Sequence, residues 1–111
     1  MAAIAYAEVD PREITLETPV CPRGLAPLMD DMIVAILEEA NAPKTPEVIC
    51  GCVQERSQLS PRAVSPDYQS WVSDRLVKLA RKDRVRVFVQ AVDGTAHAVV
   101  FASPACAKTL P

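Results

Sequence analysis

Glycine, histidine and aromatic residues are all scarce in this chain of 111 residues. The three glycines lie at positions 24, 51 and 94, too far apart to form a glycine-rich loop around a phosphate. The single histidine, His97, has no serine or cysteine placed beside it by a known catalytic motif. The sequence therefore predicts that the protein is not an enzyme and carries no cofactor. With only 5% aromatic residues, its core is expected to be aliphatic.

Long apolar runs and targeting signals are also lacking. No stretch approaches the roughly 18 apolar residues of a membrane-spanning helix. The N-terminal sequence MAAIAYAEVDPRE has no basic start and becomes acidic early, so it does not have the pattern of a secretory signal. We expect one cytoplasmic domain with a modest core and no membrane partner.

The four cysteines do not form a recognisable metal motif. Cys50 and Cys52 are two positions apart on a predicted helix, so their side chains diverge by about 200°. A zinc site would require Cys21, Cys106 or His97 to converge with one of them. We expect reduced thiols in or near the core and no metal site, with a redox or metal-sensing role left open.

The net charge of −2 hides an asymmetry between the two halves of the chain. Residues 1–55 contain ten acidic and three basic residues, whereas residues 56–111 contain four acidic and nine basic residues. A basic half on an otherwise acidic protein is typical of a surface that contacts phosphates. The acidic first half is a candidate docking surface for a protein partner.

Two amphipathic helices are predicted in the first half. Residues 25–41 carry apolar side chains at spacings of three and four, as on the buried face of a helix. A second helix is predicted to begin at Thr45-Pro46, because threonine is a good N-cap and proline is favoured at the first helical position. It is expected to end near Arg56.

A third helix is predicted from the similar start signal Ser65-Pro66-Asp67 to about Lys82. At 100° per residue, the following side chains share one face and form the predicted buried stripe: Tyr68, Val72, Leu76 and Leu79. The opposite face is expected to point outward and to carry Ser70, Asp74, Val77, Lys78 and Arg81. Residues 57–64 are expected to form the loop before this helix.

A β-hairpin is predicted for residues 85–102. Valine alternates with other residues from Val85, and Asp93-Gly94 is a strong two-residue hairpin turn. Such a turn would place Val92 opposite Thr95 and Gln90 opposite His97.

At the chain ends, residues 1–24 are expected to form an extended arm that packs on its own domain or on a second subunit. Residues 103–111 are expected to form a short tail.

Three helices followed by a hairpin resemble the winged-helix domain of bacterial transcriptional regulators. The run Val72, Leu76, Leu79, Val85 is similar to their recognition helix and first wing residue, and Thr45–Ile49 is similar to their second-helix opening. The resemblance covers residues 25–102. It implies an α+β winged helix, with a three-helix bundle and a C-terminal hairpin wing, between an N-terminal arm (1–24) and a C-terminal tail (103–111).

The resemblance implies a regulator that binds double-stranded DNA and is expected to be a homodimer. The third helix would enter the major groove. Base edges or phosphates would be contacted by Gln69, Ser70, Ser73 and Lys78, and the backbone by Arg62, Arg81, Lys82, Arg84 and Arg86. With four to six phosphate contacts, the slope of log affinity against log salt concentration would be about −4 to −5. Asp67 and Asp74 are predicted on the same face, where they would repel phosphates.

A second interpretation stays open. Winged-helix domains also serve as adaptors in protein assemblies, and the basic residues can be a solvated face that interacts favourably with the C-terminal end of a helix dipole. In that case the chain would be a protein-interaction module without DNA binding.

Overall fold

The computed structural model describes residues 3–15, 19–57 and 66–110. Within these ranges the chain is an α+β fold of four α-helices, one short 3-10 helix and a three-stranded antiparallel sheet. The helices are α1 (Ala26–Glu39), α2 (Pro46–Ser57), α3 (Tyr68–Arg81) and α4 (Pro104–Ala107), and the 3-10 helix is Pro11–Glu13. The strands are β1 (Ile4–Glu8), β2 (Arg86–Val92) and β3 (Thr95–Ala102). The predicted α+β class, the three longer helices and the hairpin are confirmed.

Local signals explain where α2 begins and α3 ends. Thr45 Oγ1 accepts a hydrogen bond from the Val48 N–H at 3.4 Å, which is the N-cap interaction predicted for α2. After α3, Asp83 adopts a left-handed conformation with φ of 60°. Aspartate tolerates this region better than most residues, so the chain can reverse there and enter β2.

The hairpin has the predicted turn but a different register beyond it. Asp93 and Gly94 both have positive φ, at 51° and 82°, and Val92 pairs with Thr95 as expected. The predicted pairing of Gln90 with His97 is wrong, because Gln90 pairs with Ala98. An irregularity between Gln90 and Ala91 shifts the register by one residue, and turn chemistry alone does not predict such a bulge.

The sheet has one strand that the sequence analysis missed. Its order is β1-β2-β3, so the N-terminal strand pairs with β2 from Ile4 opposite Val92 to Glu8 opposite Phe88. Alanine is uncommon in strands, which weakens the alternating pattern of IAYAE. At the other side of the sheet, Lys44 and Phe101 exchange backbone hydrogen bonds of 2.9 and 2.8 Å. The connection between α1 and α2 is thereby tied to β3.

The main core lies between the three longer helices and one face of the sheet. It is aliphatic, as predicted, and the expected stripe on α3 is buried. The side chains that are almost completely inaccessible include Met29, Ile33, Leu37, Ile49, Val53, Val72, Leu76, Leu79, Val85 and Val87. Among the described residues, no helix has the length and apolar character needed to cross a membrane.

The C-terminal segment forms a smaller second core on the other face of the sheet. Phe88, Val100 and Ala102 are buried there, and side chains from the α4 region pack against them. Ser103 caps α4 by accepting the Cys106 N–H at 3.1 Å. Ser103-Pro104 is the same start signal as Thr45-Pro46, so the signal for this helical turn was present within the segment expected to be a tail.

Candidate functional site

The face of α3 that was assigned to DNA is partly covered by the N-terminal arm. The Arg81 guanidinium donates hydrogen bonds to the Pro11 carbonyl at 3.2 Å and to the Ile14 carbonyl at 3.0 Å. Further along the arm, the Cys21 N–H donates to Asp74 Oδ2 at 3.2 Å. The arm therefore packs on its own domain, which is one of the two placements that the sequence left open.

Two residues predicted to point outward from α3 are buried. Asp74 is 0% exposed and Val77 is 5% exposed, so the predicted outward placement of both is wrong. A helical projection identifies the face opposite the main core. It does not show which distant segments pack on that face: the Cys21 N–H of the arm bonds to Asp74, and Val77 belongs to the main core.

Asp74 is the centre of this covered face. Its Oδ2 accepts the Cys21 N–H and a hydrogen bond from Lys78 Nζ at 3.3 Å. Its Oδ1 lies 3.1 Å from the same ammonium group, but no hydrogen-bond partner for this oxygen is found among the described residues. A buried carboxylate with one oxygen unsatisfied is costly, so the charge of Lys78 is needed to stabilise it.

A second buried ion pair lies one residue away and joins α3 to α1. Arg75 donates two parallel hydrogen bonds of 2.7 Å to the two carboxylate oxygens of Asp30. The side chains are only 12% and 11% exposed. The hydrogen bonding with Asp30 raises the pKa of Arg75 above its ordinary value. This bidentate geometry is the strong form of an arginine–carboxylate contact.

Several of the predicted DNA contacts are engaged within the protein. Lys78 is paired with Asp74, and the Arg81 guanidinium is bonded to the arm. Arg86 is paired with Glu8 at 3.3 Å and lies 3.6 Å from Asp83. The basic stretch therefore presents less free positive charge than its sequence indicates.

The other predicted contacts differ in their exposure and in their hydrogen-bond partners. Gln69 is exposed and donates to Glu47 at 3.4 Å, while Ser70 and Ser73 are half-buried. Lys82 and Arg84 are exposed, and their side chains have no polar partner among the described residues. Arg62 lies outside the residues that the structure describes.

An apolar cleft borders the covered face of α3. It has a volume of about 180 Å³ and lies between the arm, α3, β3 and the start of α2. Its apolar lining comes from Ile14, Pro46, Val77, Val99 and Phe101. This part of α3 therefore faces an apolar depression, and a groove of that character suits a protein side chain better than a phosphate.

The cysteines are free thiols, as expected. Cys21 and Cys50 are buried, and burial is the main reason that their pKa values are raised above the ordinary value of 9.0. Cys52 and Cys106 are half-buried. In the described part of the chain, no three histidine, cysteine or acidic side chains are grouped so that they could hold a metal ion.

The raised thiol pKa values predict that the protein loses stability in alkali. Buried Cys21 and Cys50 keep their protons at pH values where the unfolded chain has released them. Stability is therefore retained below about pH 9 and falls as the pH rises further, by at most about 1.4 kcal/mol per pH unit for each thiol. Urea unfolding between pH 8 and 10 measures this slope. The double variant Cys21→Ala/Cys50→Ala should show a shallower decline, and an unchanged slope would contradict the assignment.

Sequence reasoning missed the internal role of the acidic residues near α3. Asp74 lies four positions before Lys78, a spacing that commonly forms an ion pair on a helix. That spacing was a usable signal that Lys78 was already engaged. Nothing local indicated that Asp30, 45 positions from Arg75, would be its partner.

No family model, curated protein or solved structure matches this chain.

Proposed function

We propose that this chain is a winged-helix domain whose role is to bind protein rather than DNA. One observation carries the proposal: the arm is bonded to α3 at Asp74 and Arg81, across the face that a recognition helix would present. A recognition helix needs that face free, because its side chains must reach base edges in the major groove.

The charge distribution supports the same proposal. Non-specific affinity for DNA comes mainly from cations that replace counterions at phosphates. Lys78, Arg75 and Arg86 are instead paired with acidic groups of the same chain. Breaking such pairs to contact a phosphate would offset much of the free energy gained.

An apolar contact surface is available in place of a cationic one. The cleft beside α3 includes Val99, which is 45% exposed, together with Ile14 and Val77. Apolar side chains in a shallow groove are common at the buried centre of protein–protein interfaces. The acidic first half of the chain adds polar groups that could surround such an interface.

DNA binding by a transcriptional regulator is the second candidate, and it is favoured by Lys82 and Arg84. Both are exposed at the turn between α3 and β2, and their side chains have no polar partner among the described residues. By resemblance to winged-helix regulators, this position lies between the recognition helix and the wing, where cations meet the phosphate backbone. In this candidate the arm would have to leave α3 before bases could be read.

A mobility-shift titration with random duplex DNA at low salt separates the two candidates. We expect no shift for the native chain. A shift that weakens as the salt concentration rises would favour DNA binding instead. The slope of log affinity against log salt concentration should then decrease in magnitude by about 2 in Lys82→Glu/Arg84→Glu. Lys108→Glu is the matched control, because Lys108 is an exposed cation in the segment after α4. The melting temperature of each variant shows whether it is folded.

A further inference from the structure

The outer edge of β1 has unpaired backbone groups. On either side of the strand, the Asp93 N–H donates to the Ala3 carbonyl at 2.8 Å and the Val9 N–H donates to the Val87 carbonyl at 3.0 Å. In an antiparallel ladder the hydrogen-bonded pairs alternate, so Ala5 and Ala7 also bond to β2. The backbone N–H and C=O groups of residues 4, 6 and 8 therefore point away from β2. No other described strand lies on that side.

This edge lacks most of the features that usually block pairing with another strand. The sequence IAYAE contains no lysine and no proline, and the pairing of β1 with β2 has no bulge. Its one charged residue is Glu8, and Ile4 at the other end is 46% exposed. The opposite side of the sheet is different, because Lys44 is already bonded to Phe101 of β3.

We propose that two copies of the chain pair through β1, antiparallel and around a two-fold axis at Tyr6. In this register Ile4 lies opposite Glu8 of the second copy, and Tyr6 lies opposite Tyr6. Every outward N–H and C=O of Ile4, Tyr6 and Glu8 then has a partner, because residues of the same parity face each other. Two-fold pairing of identical surfaces is the commonest way in which soluble chains form oligomers.

Charge disfavours the registers in which the two strands slide towards their Glu8 ends. With Tyr6 at the centre, the two Glu8 side chains lie at opposite ends of the paired strands. A shift of two residues places Glu8 opposite Tyr6, and a shift of four places the two Glu8 carboxylates directly opposite each other. Like charges in that position are destabilising. Sliding the strands the other way leaves outward backbone groups of Glu8 unpaired, so the register centred on Tyr6 is the one that uses the whole strand.

The side chains on the pairing strand also fit a second copy. Tyr6 is held in place, since its ring packs edge-on against Phe88 at 6.3 Å and its hydroxyl accepts a hydrogen bond from Gln90 at 3.3 Å. Pairing brings the two Tyr6 side chains side by side, a favourable aromatic cross-strand contact. It also brings Ile4 of the second copy beside Glu8, which borders a cleft of about 240 Å³ lined in part by Phe88 and Pro104.

The pairing uses the outer edge of β1 and not the cleft beside α3, so it goes beyond the proposed protein-binding role. Size-exclusion chromatography with light scattering should show a dimer whose fraction increases with concentration. Hydrogen exchange followed by NMR should show slower exchange of the Ile4, Tyr6 and Glu8 amides as the dimer forms. The Ala5 and Ala7 amides should be protected at every concentration, because they bond within one chain.

Substitutions at Ile4 test the edge directly. Ile4→Pro removes an outward N–H, which an edge strand tolerates when that N–H is not used in its own sheet. Ile4→Lys places a charge on the edge. Both should weaken dimerisation on the order of 10-fold, because the contact is lost twice in a symmetric dimer. Leu28→Lys is the matched control, since Leu28 is an exposed apolar residue on α1 and should leave the dimer unchanged.

Three results would overturn the pairing: a monomer at every concentration, a dimer that Ile4→Pro does not weaken, or a dimer in which the Ile4, Tyr6 and Glu8 amides exchange as fast as in the monomer. Unchanged melting temperatures in dilute solution establish that the variants are folded. The DNA titration is independent of these results. A monomer that ignores DNA overturns the pairing alone, whereas a β1-linked dimer that binds DNA overturns the protein-binding role alone.

Discussion

Replacing Arg75 with methionine is expected to lower the free energy of unfolding by about 3–5 kcal/mol. The substitution leaves the Asp30 carboxylate, which is 11% exposed, without the two hydrogen bonds that now satisfy both of its oxygens. A buried charge that has lost its partner cannot recover full hydration. Urea unfolding followed by circular dichroism measures the loss.

The double variant Asp30→Leu/Arg75→Met is the decisive control. Removing both charges also removes the cost of burying them, and apolar groups of similar size can fill the space between α1 and α3. We expect the double variant to recover most of the stability lost by Arg75→Met, because replacing a whole buried ion pair is often neutral or stabilising. The contrary result is a loss in the free energy of unfolding as large as the losses of Arg75→Met and Asp30→Leu added together. In that case the shape of the side chains, rather than their charge, dominates this contact.

A surface pair provides the matched comparison. Arg86 is paired with Glu8 at 3.3 Å, but the two side chains are 42% and 56% exposed to solvent. Arg86→Met should therefore cost less than about 1 kcal/mol. An effect as large as that of Arg75→Met would contradict the importance assigned to burial.

Replacing Asp74 with alanine is expected to release the arm from α3. The Cys21 N–H loses its acceptor and Lys78 loses its partner. The global cost should be about 1–3 kcal/mol, from the unsatisfied N–H and the lost packing. It is smaller than for Arg75 because Lys78 is 33% exposed and can turn to water. The alanine also removes an oxygen that has no hydrogen-bond partner among the described residues.

The clearest measurement is the rate at which the Cys21 thiol reacts with a water-soluble alkylating reagent. Cys21 is 6% exposed, so its reaction requires the arm to open. Mass spectrometry of the labelled peptides should show Cys21 reacting at least about 10-fold faster in Asp74→Ala. Destabilising the closed arm by about 1.4 kcal/mol increases the population of the open arm by that factor. Labelling of Cys50, buried on α2, should change much less and serves as the internal control.

Asp74→Asn separates hydrogen bonding from charge. The amide oxygen of asparagine can still accept the Cys21 N–H, but it cannot form an ion pair with Lys78. We expect the arm to stay closed and Cys21 labelling to remain near the native rate. If Asp74→Asn labels as fast as Asp74→Ala, the ion pair holds the arm and the Cys21 hydrogen bond does not.

Local patterns were sufficient for the elements of the main core. The Thr45-Pro46 signal placed the start of α2, and the Asp93-Gly94 turn placed the hairpin, because these depend on a few adjacent residues. The same reasoning missed β1 and the turn of helix at α4. Both are short and depend on contacts with β2 or with Phe88, although the Ser103-Pro104 start signal of α4 was visible in the sequence.

The candidate site was harder to predict than the fold. Its residues were chosen by charge and by position on α3, and this assigned Lys78, Arg81 and Arg86 to a free cationic surface. Their contacts come from Asp74 on α3 and from two parts of the arm, the segment around Pro11 and Glu8 on β1. Only the spacings of Asp74 and Lys78 and of Asp83 and Arg86 were visible locally. The other partners are separated from these cations along the chain by many residues.

The sequence by itself determined the α+β class, the three longer helices, the hairpin turn and the aliphatic character of the core. These follow from hydrophobic periodicity and from the conformational preferences of capping and turn residues, which act over a few positions. Only the tertiary structure decided that the arm returns over α3, that Asp74 is buried and that β1 forms one edge of the sheet. Those outcomes depend on which distant surfaces meet, and burial changes a charged side chain from a surface contact into an internal partner.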